Sequence, residues 1–286
     1  MSTTTTTTTG TPPASTAPRH LPVCVAPETW VIQDTQGEGV APVAVHLNAM
    51  VITGPEPIVV DTGAAPNRDR YLEDLFGIVD PADVRWVFLT HDDNDHHGNL
   101  LDVLHACPNA TLLTSWFQWE RLGNLPGVAP TRMRWLTEGE RFEANGGSYV
   151  ALRPPIYDSP TTRGLLDVRT GVYWAGDCFA SPVPAGMPDV ADLEPDAWRG
   201  GFQMFQQLLA PWLDVADPAK YHATVDAFAQ LGVRTIASAH SPSITGRNVD
   251  RAIAMLHDVL DAPRSPEPGQ PVLDGIIAAM TNGMPA

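Results

Sequence analysis

One α/β domain with helix-covered sheets is the architecture this sequence predicts, and three observations carry that expectation. Short apolar β-type runs are interleaved with helical stretches along the chain. No shift in composition marks a second unit. The 286 residues are also enough to bury a core without disulfides.

The β-type runs come first: VCVAPETWVIQ from Val23, VAVHLNAMVIT from Val43 and PIVVDTG ending at Gly63. In the second run Val43, Val45, Leu47, Ala49 and Val51 share one parity and His46 and Asn48 the other, as in a strand with one buried face. Asn67 to Val79 places Tyr71, Leu72, Leu75 and Phe76 at helical spacing. VRWVFLT (Val84–Thr90) is apolar enough for a strand covered on both faces. A polar burst follows, then a helix carrying Leu100, Leu101, Val103 and Leu104.

Further strands are expected at Ala110–Thr114, Met133–Thr137 and Gly147–Pro155. GLLDV and GVYWAGD, separated by Arg169-Thr170-Gly171, read as a hairpin. Helical patterns cover Phe202–Leu209 and Tyr221–Leu231, VRTIASAH ends a buried-type strand at His240, and helices at Asn248–Leu260 and Val272–Thr281 close the chain. MSTTTTTTTGTPPASTAPRH has neither a basic segment nor an apolar one, so residues 1–20 are expected to be a disordered Thr/Pro-rich tail rather than a signal peptide. Residues 21–286 form the expected domain.

Composition narrows the partners. With 33 acidic and 17 basic side chains the formal charge is −16, which disfavours nucleic acid and anionic membranes. Lys220 is the one lysine. No apolar run approaches the ~18 residues of a membrane span. Cys24, Cys107 and Cys178 are odd in number and unrelated in spacing, as expected for idle thiols in a reducing cytoplasm, the expected location.

The chemistry concentrates at residues 91–97, His-Asp-Asp-Asn-Asp-His-His, directly after a buried-type strand. A solvated turn or a helix cap needs no such assembly of three imidazoles and three carboxylates, whose repulsion and desolvation call for a cation. His91 and Asp93 project to the same side of an extended segment, and the turn into the next helix lets Asp95 and His96 face a neighbouring point. One loop can thus serve two adjacent metal ions, with the other ligands arriving from elsewhere.

These residues resemble the metallo-β-lactamase fold superfamily. Its loop His-x-His-x-Asp-His-x-Gly-Asn corresponds to His91-x-Asp93-x-Asp95-His96-His97-Gly98-Asn99, with IVVDTG (Ile58–Gly63) upstream and WAGD (Trp174–Asp177) and AHSP (Ala239–Pro242) downstream. The resemblance covers roughly 70% of the chain, about Val43 to Ile244, and implies an αββα sandwich. Hydrolytic members carry histidine where this chain has Asp93. A carboxylate there is similar to the flavodiiron or ODP-like branch, whose segment after the bridging aspartate AGDCFASP also resembles. The family's middle histidine is missing from Pro154–Gly164, where Asp158 aligns with it; Tyr157 is the rival, and a single-metal site the third possibility.

The resemblance implies His91, Asp93 and Asp158 on one ion, Asp95, His96 and His240 on the other, and Asp177 bridging. Such an oxygen-rich set without sulfur suits iron best, with manganese or zinc as alternatives. It implies an enzyme acting on dioxygen, nitric oxide or an oxidisable small molecule. Only about 40 residues follow Pro242 and none resembles a flavin-binding loop, so electrons are expected from a separate electron-donor protein or from the substrate itself. The competing expectations are a hydrolase of an ester, lactone, thioester or phosphoester using a bridging hydroxide, and a non-catalytic diiron oxygen sensor.

Around this set, Asp61 reads as an orienting residue or a plain turn aspartate, and Asp92 and His97 as neighbours of the ligands or solvated groups. Arg163 reads as a salt-bridge partner, Trp116 and Trp119 as core packing, and His20, His46, His105, His222 and His257 as structural.

Overall fold

The structure is a computed structural model and describes residues 19–36, 44–184 and 187–282. The expected disordered tail falls outside the described residues except for Arg19 and His20; Arg19 is tied to the protein by ion pairs with Glu73 and Asp74.

In chain order, β1 (Val23–Ala26), β2 (Thr29–Ile32), β3 (Thr35–Gln36), β4 (Val45–His46), β5 (Ala49–Ile52) and β6 (Ile58–Val60) precede α1 (Arg68–Ile78). Next come β7 (Trp86–Phe88), α2 (Asn94–His97), α3 (Leu100–Ala106), β8 (Thr111–Thr114), α4 (Trp116–Arg121) and β9 (Met133–Trp135). Four strands follow, β10 (Arg141–Ala144), β11 (Gly147–Leu152), β12 (Gly164–Asp167) and β13 (Val172–Trp174). The chain then runs through α5 (Pro195–Leu209), α6 (Pro218–Ala229), β14 (Thr235–Ser238), β15 (Ser241–Thr245), α7 (Arg247–Asp261) and α8 (Gln270–Asn282).

Two sheets face each other, one ordered β1-β2-β5-β6-β7-β8-β9 and the other β10-β11-β12-β13-β14-β15. Side-chain parity builds the layers. Met50, Val60, Phe88 and Leu113 point inward against Tyr149, Leu165, Trp174 and Ala237 of the opposite sheet. Their neighbours Val51, Val59, Val87 and Leu112 point outward against Tyr71 and Leu75 of α1 and Val103 and Leu104 of α3. On the far side Val150, Leu166, Tyr173 and Ile236 pack under Trp198 and Phe202 of α5, Val225 of α6 and Leu256 of α7. Helix, sheet, sheet, helix is the expected αββα sandwich, because each apolar strand run has two faces to bury.

Four local expectations change. VCVAPETWVIQ is a hairpin rather than one strand: β1 and β2 pair antiparallel across a turn with Glu28 at φ 64°. The run from Val43, itself outside the described residues, breaks at Leu47-Asn48, and His46 and Asn48 are buried instead of facing solvent. The burial of Asn48 is compensated by backbone partners: its amide donates to the Ser238 and Ser241 carbonyls. Trp116 is 60% exposed instead of packed in the core, because α4 caps the sheet's end and only its Trp119 side meets the outer apolar layer. Strands β10 and β15 are additions that the sequence patterns do not separate from their neighbours. All three cysteines are free thiols, and no helix among the described residues is long and apolar enough to cross a membrane.

The segment after the polar burst is locked to the Asp61-Thr62-Gly63 turn. Gly98 donates its backbone N–H to the Gly63 carbonyl at 3.0 Å, and the Asn99 amide donates to the Thr62 carbonyl at 2.7 Å. A Cβ on Gly98 would sit 2.4 Å from the Ala65 nitrogen and 2.7 Å from the Asn94 and Gly63 oxygens, all rigid backbone. Gly98→Ala is therefore expected to cost roughly 2 kcal/mol or more, as overpacking does; a denaturant titration showing an unchanged midpoint would refute this close contact.

Candidate metal centre

Parallel strand pairs in both sheets deliver the site. In the first, β6 and β7 pair Val60 with Phe88, so Asp61 and the Thr90-His91 step emerge side by side at their C-terminal ends. In the second, β13 and β14 pair Trp174 with Ala237, and the Ala239 N–H bonds the Gly176 carbonyl at 2.8 Å. Continuing that register by three residues sets Asp177 beside His240. The structure thus brings together all seven residues of the expected set.

They form two clusters sharing one carboxylate. His91 Nε2 lies 3.9 Å from Asp93, 3.8 Å from Asp158 and 3.6 Å from Asp177 Oδ2. The other oxygen of Asp177 lies 2.8 Å from His96 Nε2 and 3.3 Å from His240 Nε2, with Asp95 at 3.6 and 3.3 Å from the same two nitrogens. Each triple, His91/Asp93/Asp158 and Asp95/His96/His240, offers donor atoms within 4.8 Å of one another.

The imidazoles are oriented from behind. His240 Nδ1 donates to the His46 carbonyl at 2.7 Å, and a carbonyl can only accept. His96 Nδ1 donates to Asp61 at 2.9 Å. The Thr90 hydroxyl donates to Asp61 and so accepts from His91 Nδ1 at 3.0 Å. In the neutral state every Nε2 therefore turns a lone pair inward. His91 Nε2, His96 Nε2 and Asp177 Oδ1 are buried without a hydrogen bond, which is costly unless another group occupies the space between them. A cation fits this donor set.

Asp61 is fully buried at φ 56°, a backbone conformation aspartate tolerates better than most. Four donors satisfy it: the Thr90 amide and hydroxyl, His96 Nδ1 and Trp174 Nε1. Burial alone would raise its pKa; His96 and the Thr90 amide hold it below the usual carboxylate range. It is an orienting residue. Asp92 acts on a neighbouring loop. It accepts from Ser159 and Thr161 and pairs with Arg121 at 2.5 Å, latching the Asp158 loop to the His91 loop. Arg163 pairs with Glu138 at 3.1 Å and, among the described residues, makes no ion pair with any of the seven. The Tyr157 ring packs against Trp212 and Arg153, while Asp158 lies 3.8 Å from His91 Nε2. His97 is half-buried.

Sequence reasoning missed Asn48, whose strap holds the His240 turn. The available signal was a polar residue inside an otherwise apolar run.

The layers and the paired clusters define a protein of the metallo-β-lactamase fold. More narrowly, the chain belongs to the ODP family of beta lactamases, whose profile matches residues 45–240. It is 28% identical over 163 residues to a diflavin flavoprotein, A 1, of Thermosynechococcus vestitus, covering 57% of this chain and 28% of that protein. The chain thus spans about a quarter of the length of that relative. Among solved structures it is similar to the rubredoxin oxygen:oxidoreductase of Desulfovibrio gigas, with a TM-score of 0.71 at 13% identity, covering 84% of this chain and 61% of that one. A fragment (residues 1–254) of diflavin flavoprotein A 5 from Nostoc gives 0.66 at 18% identity, over 86% and 98%. At these identities the structural matches speak to the fold.

Burial would depress the three imidazoles, but Asp177 outweighs it and raises all three pKa values, His96 the furthest; the same charges hold Asp177 well below its usual range. A raised histidine contributes stability below its unfolded pKa of 6.5 that is lost as pH rises through the folded value; Asp177 contributes stability above 3.8 that is lost on acidification. Metal-free protein should therefore melt progressively lower as pH rises above about 6.5; a melting temperature that climbs over that range would contradict the geometry. Asp92→Ala should unlatch residues 158–163 at a cost of roughly 1–3 kcal/mol. Faster amide hydrogen exchange confined to that loop is the expected result, and unchanged protection there would remove Asp92 from the role.

Proposed function

We propose that this chain forms the diiron core of an oxidoreductase that reduces dioxygen or nitric oxide, with electrons supplied by a separate donor protein. The observation that carries the proposal is Asp177, whose two oxygens address two different clusters while Asp93 stands where hydrolytic members of the fold have histidine. Four carboxylates and three imidazoles suit iron better than zinc. The names of the similar proteins, diflavin flavoproteins and an oxygen oxidoreductase, support the same chemistry.

In this reading His91, Asp93 and Asp158 would hold one ion and Asp95, His96 and His240 the other, with Asp177 placed to serve both. Two ions of variable valence held there would supply electrons to a small diatomic substrate and offset the charge that develops on it. The protein's own part is positional. Asp61, Thr90 and the His46 carbonyl keep the Nδ1 protons on the outer nitrogens, so each imidazole presents a bare Nε2. The packed walls keep bulk water from the buried imidazoles, while Asp93, with its side chain 49% exposed, borders the open side.

Metal analysis with an optical spectrum of protein purified without added metal tests this. About two irons per chain, with oxygen consumption when a reductant is supplied, is expected. Stoichiometric zinc in a colourless protein would overturn the redox reading and favour hydrolysis of an ester, lactone, thioester or phosphoester. Iron without turnover would leave an oxygen-binding sensor. Asp158→Ala should lose about one metal equivalent and Asp177→Ala about both; full occupancy in Asp158→Ala would remove that residue from the ligand set.

A further inference from the structure

The segment that carries Asp158 is irregular. Residues 154–158 belong to no strand or helix, and among the described residues no backbone-to-backbone hydrogen bond ties them down. The Asp158 carboxylate nevertheless stands 3.8 Å from His91 Nε2, grouped with Asp93. Electrostatics works against that place: burial and the negative charge of Asp177 both push its pKa up. Its position therefore depends on what grips the chain around it.

The geometry points to Trp212 as the positioning residue for Asp158. The inference rests on the reading in which Asp158, with His91 and Asp93, would hold one ion. Trp212 Nε1 donates to the Tyr157 carbonyl at 2.7 Å, from 55 positions further along the chain. That carbonyl belongs to the planar peptide unit leading into Asp158, so the hydrogen bond fixes the plane from which the carboxylate departs. The Tyr157 and Trp212 rings also lie 5.0 Å apart, inclined at 33°.

Trp212 is itself held firmly. It sits in a short 3-10 turn, Pro211–Val215, between α5 and α6, where Ala210 and Leu213 on either side of it are buried in the outer apolar core. Beyond Asp158 the loop is gripped differently. Arg153 lies 4.7 Å over the Tyr157 ring and donates to the Pro160 carbonyl at 3.0 Å, while Asp92 accepts from Ser159 and Thr161. Asp92 ties the loop to the His91 loop, and Trp212 ties it to the helical layer. Asp158 lies between the two anchors, and a donor one residue from a ligand supports it from outside the coordination sphere.

Trp212→Phe keeps a ring against Tyr157 and removes the N–H. Anaerobic titration of this variant with Fe2+ should show one of two equivalents weakened roughly 10-fold and the other unchanged. In metal-free protein, amide hydrogen exchange at residues 157–159 should quicken about 10-fold, with the remaining amides as in the parent. Tyr157→Phe, which keeps both ring and carbonyl, should match the parent in both readouts. A tryptophan that served only packing would instead lower the melting temperature and weaken both equivalents alike. That result, unchanged affinity for both equivalents, or unchanged exchange at residues 157–159 would overturn the role. Should Trp212→Phe fail to fold, Trp212→Tyr, which also lacks the N–H, decides the question in the same way. A parent that binds fewer than two irons would overturn the diiron reading alone, and exchange in the metal-free protein would still decide whether Trp212 holds Asp158 in place.

Discussion

A single buried carboxylate fastens this molecule together. Asp61 leaves the end of β6 in a left-handed conformation and accepts hydrogen bonds from Thr90 on the neighbouring strand, from His96 on the ligand loop and from Trp174 in the opposite sheet. Without those donors a carboxylate at this depth would cost several kcal/mol of desolvation. With them it ties the two sheets at the edge of the apolar interior and fixes the tautomer of the imidazole nearest Asp177. The glycine at 98 and the asparagine at 99 follow from the same constraint, because they let the ligand loop lie directly on the turn that carries Asp61.

The centre that this pin orients holds an imbalance of charge. Four carboxylates, Asp93, Asp95, Asp158 and Asp177, converge with three imidazoles, and crowding shows at Asp158, where burial and the charge of Asp177 push the carboxyl pKa up. Protons and any bound metal ions would compete for the same three Nε2 lone pairs. Protonated imidazoles offset three of the four negative charges, and two divalent ions would offset all four, bringing the formal −16 to −12. The net acidity that first speaks against polyanionic partners is thus partly a local feature.

Legibility in the sequence followed the range of the interaction. The ligand loop was readable because His91 to His96 are neighbours, and the layers because apolar runs with two buried faces demand cover on both sides. Asp177 and His240 lie 63 positions apart and meet through the parallel register of β13 and β14, which no local pattern encodes; only resemblance to a family assigned them. His46 and Asn48 looked like a solvent face because alternation was the only cue, whereas their partners belong to the turn around His240. Trp116 misled for the converse reason: helical spacing implies a covered face, and α4 has one covered side only. His222 and His257, which share a hydrogen bond between α6 and α7, are invisible as a pair until the register of those helices is known.

The two halves of the main centre differ in how far they are closed. His96 and His240 are buried, and their hydrogen bonds run to Asp61 and to the backbone of β4. On the other half His91 is equally buried, but Asp93 has a half-exposed side chain and Asp158 sits on a loop held by the Asp92 latch. Asp93, at 49%, is the most exposed side chain of the seven. That half is also the one in which this chain departs from the histidines of the hydrolytic pattern, at both Asp93 and Asp158. In the proposed reading, where the seven residues would hold two ions, the substitutions fall on the half with the most exposed carboxylate, Asp93, where a small ligand would exchange, and the buried His96 and His240 would form the closed wall opposite.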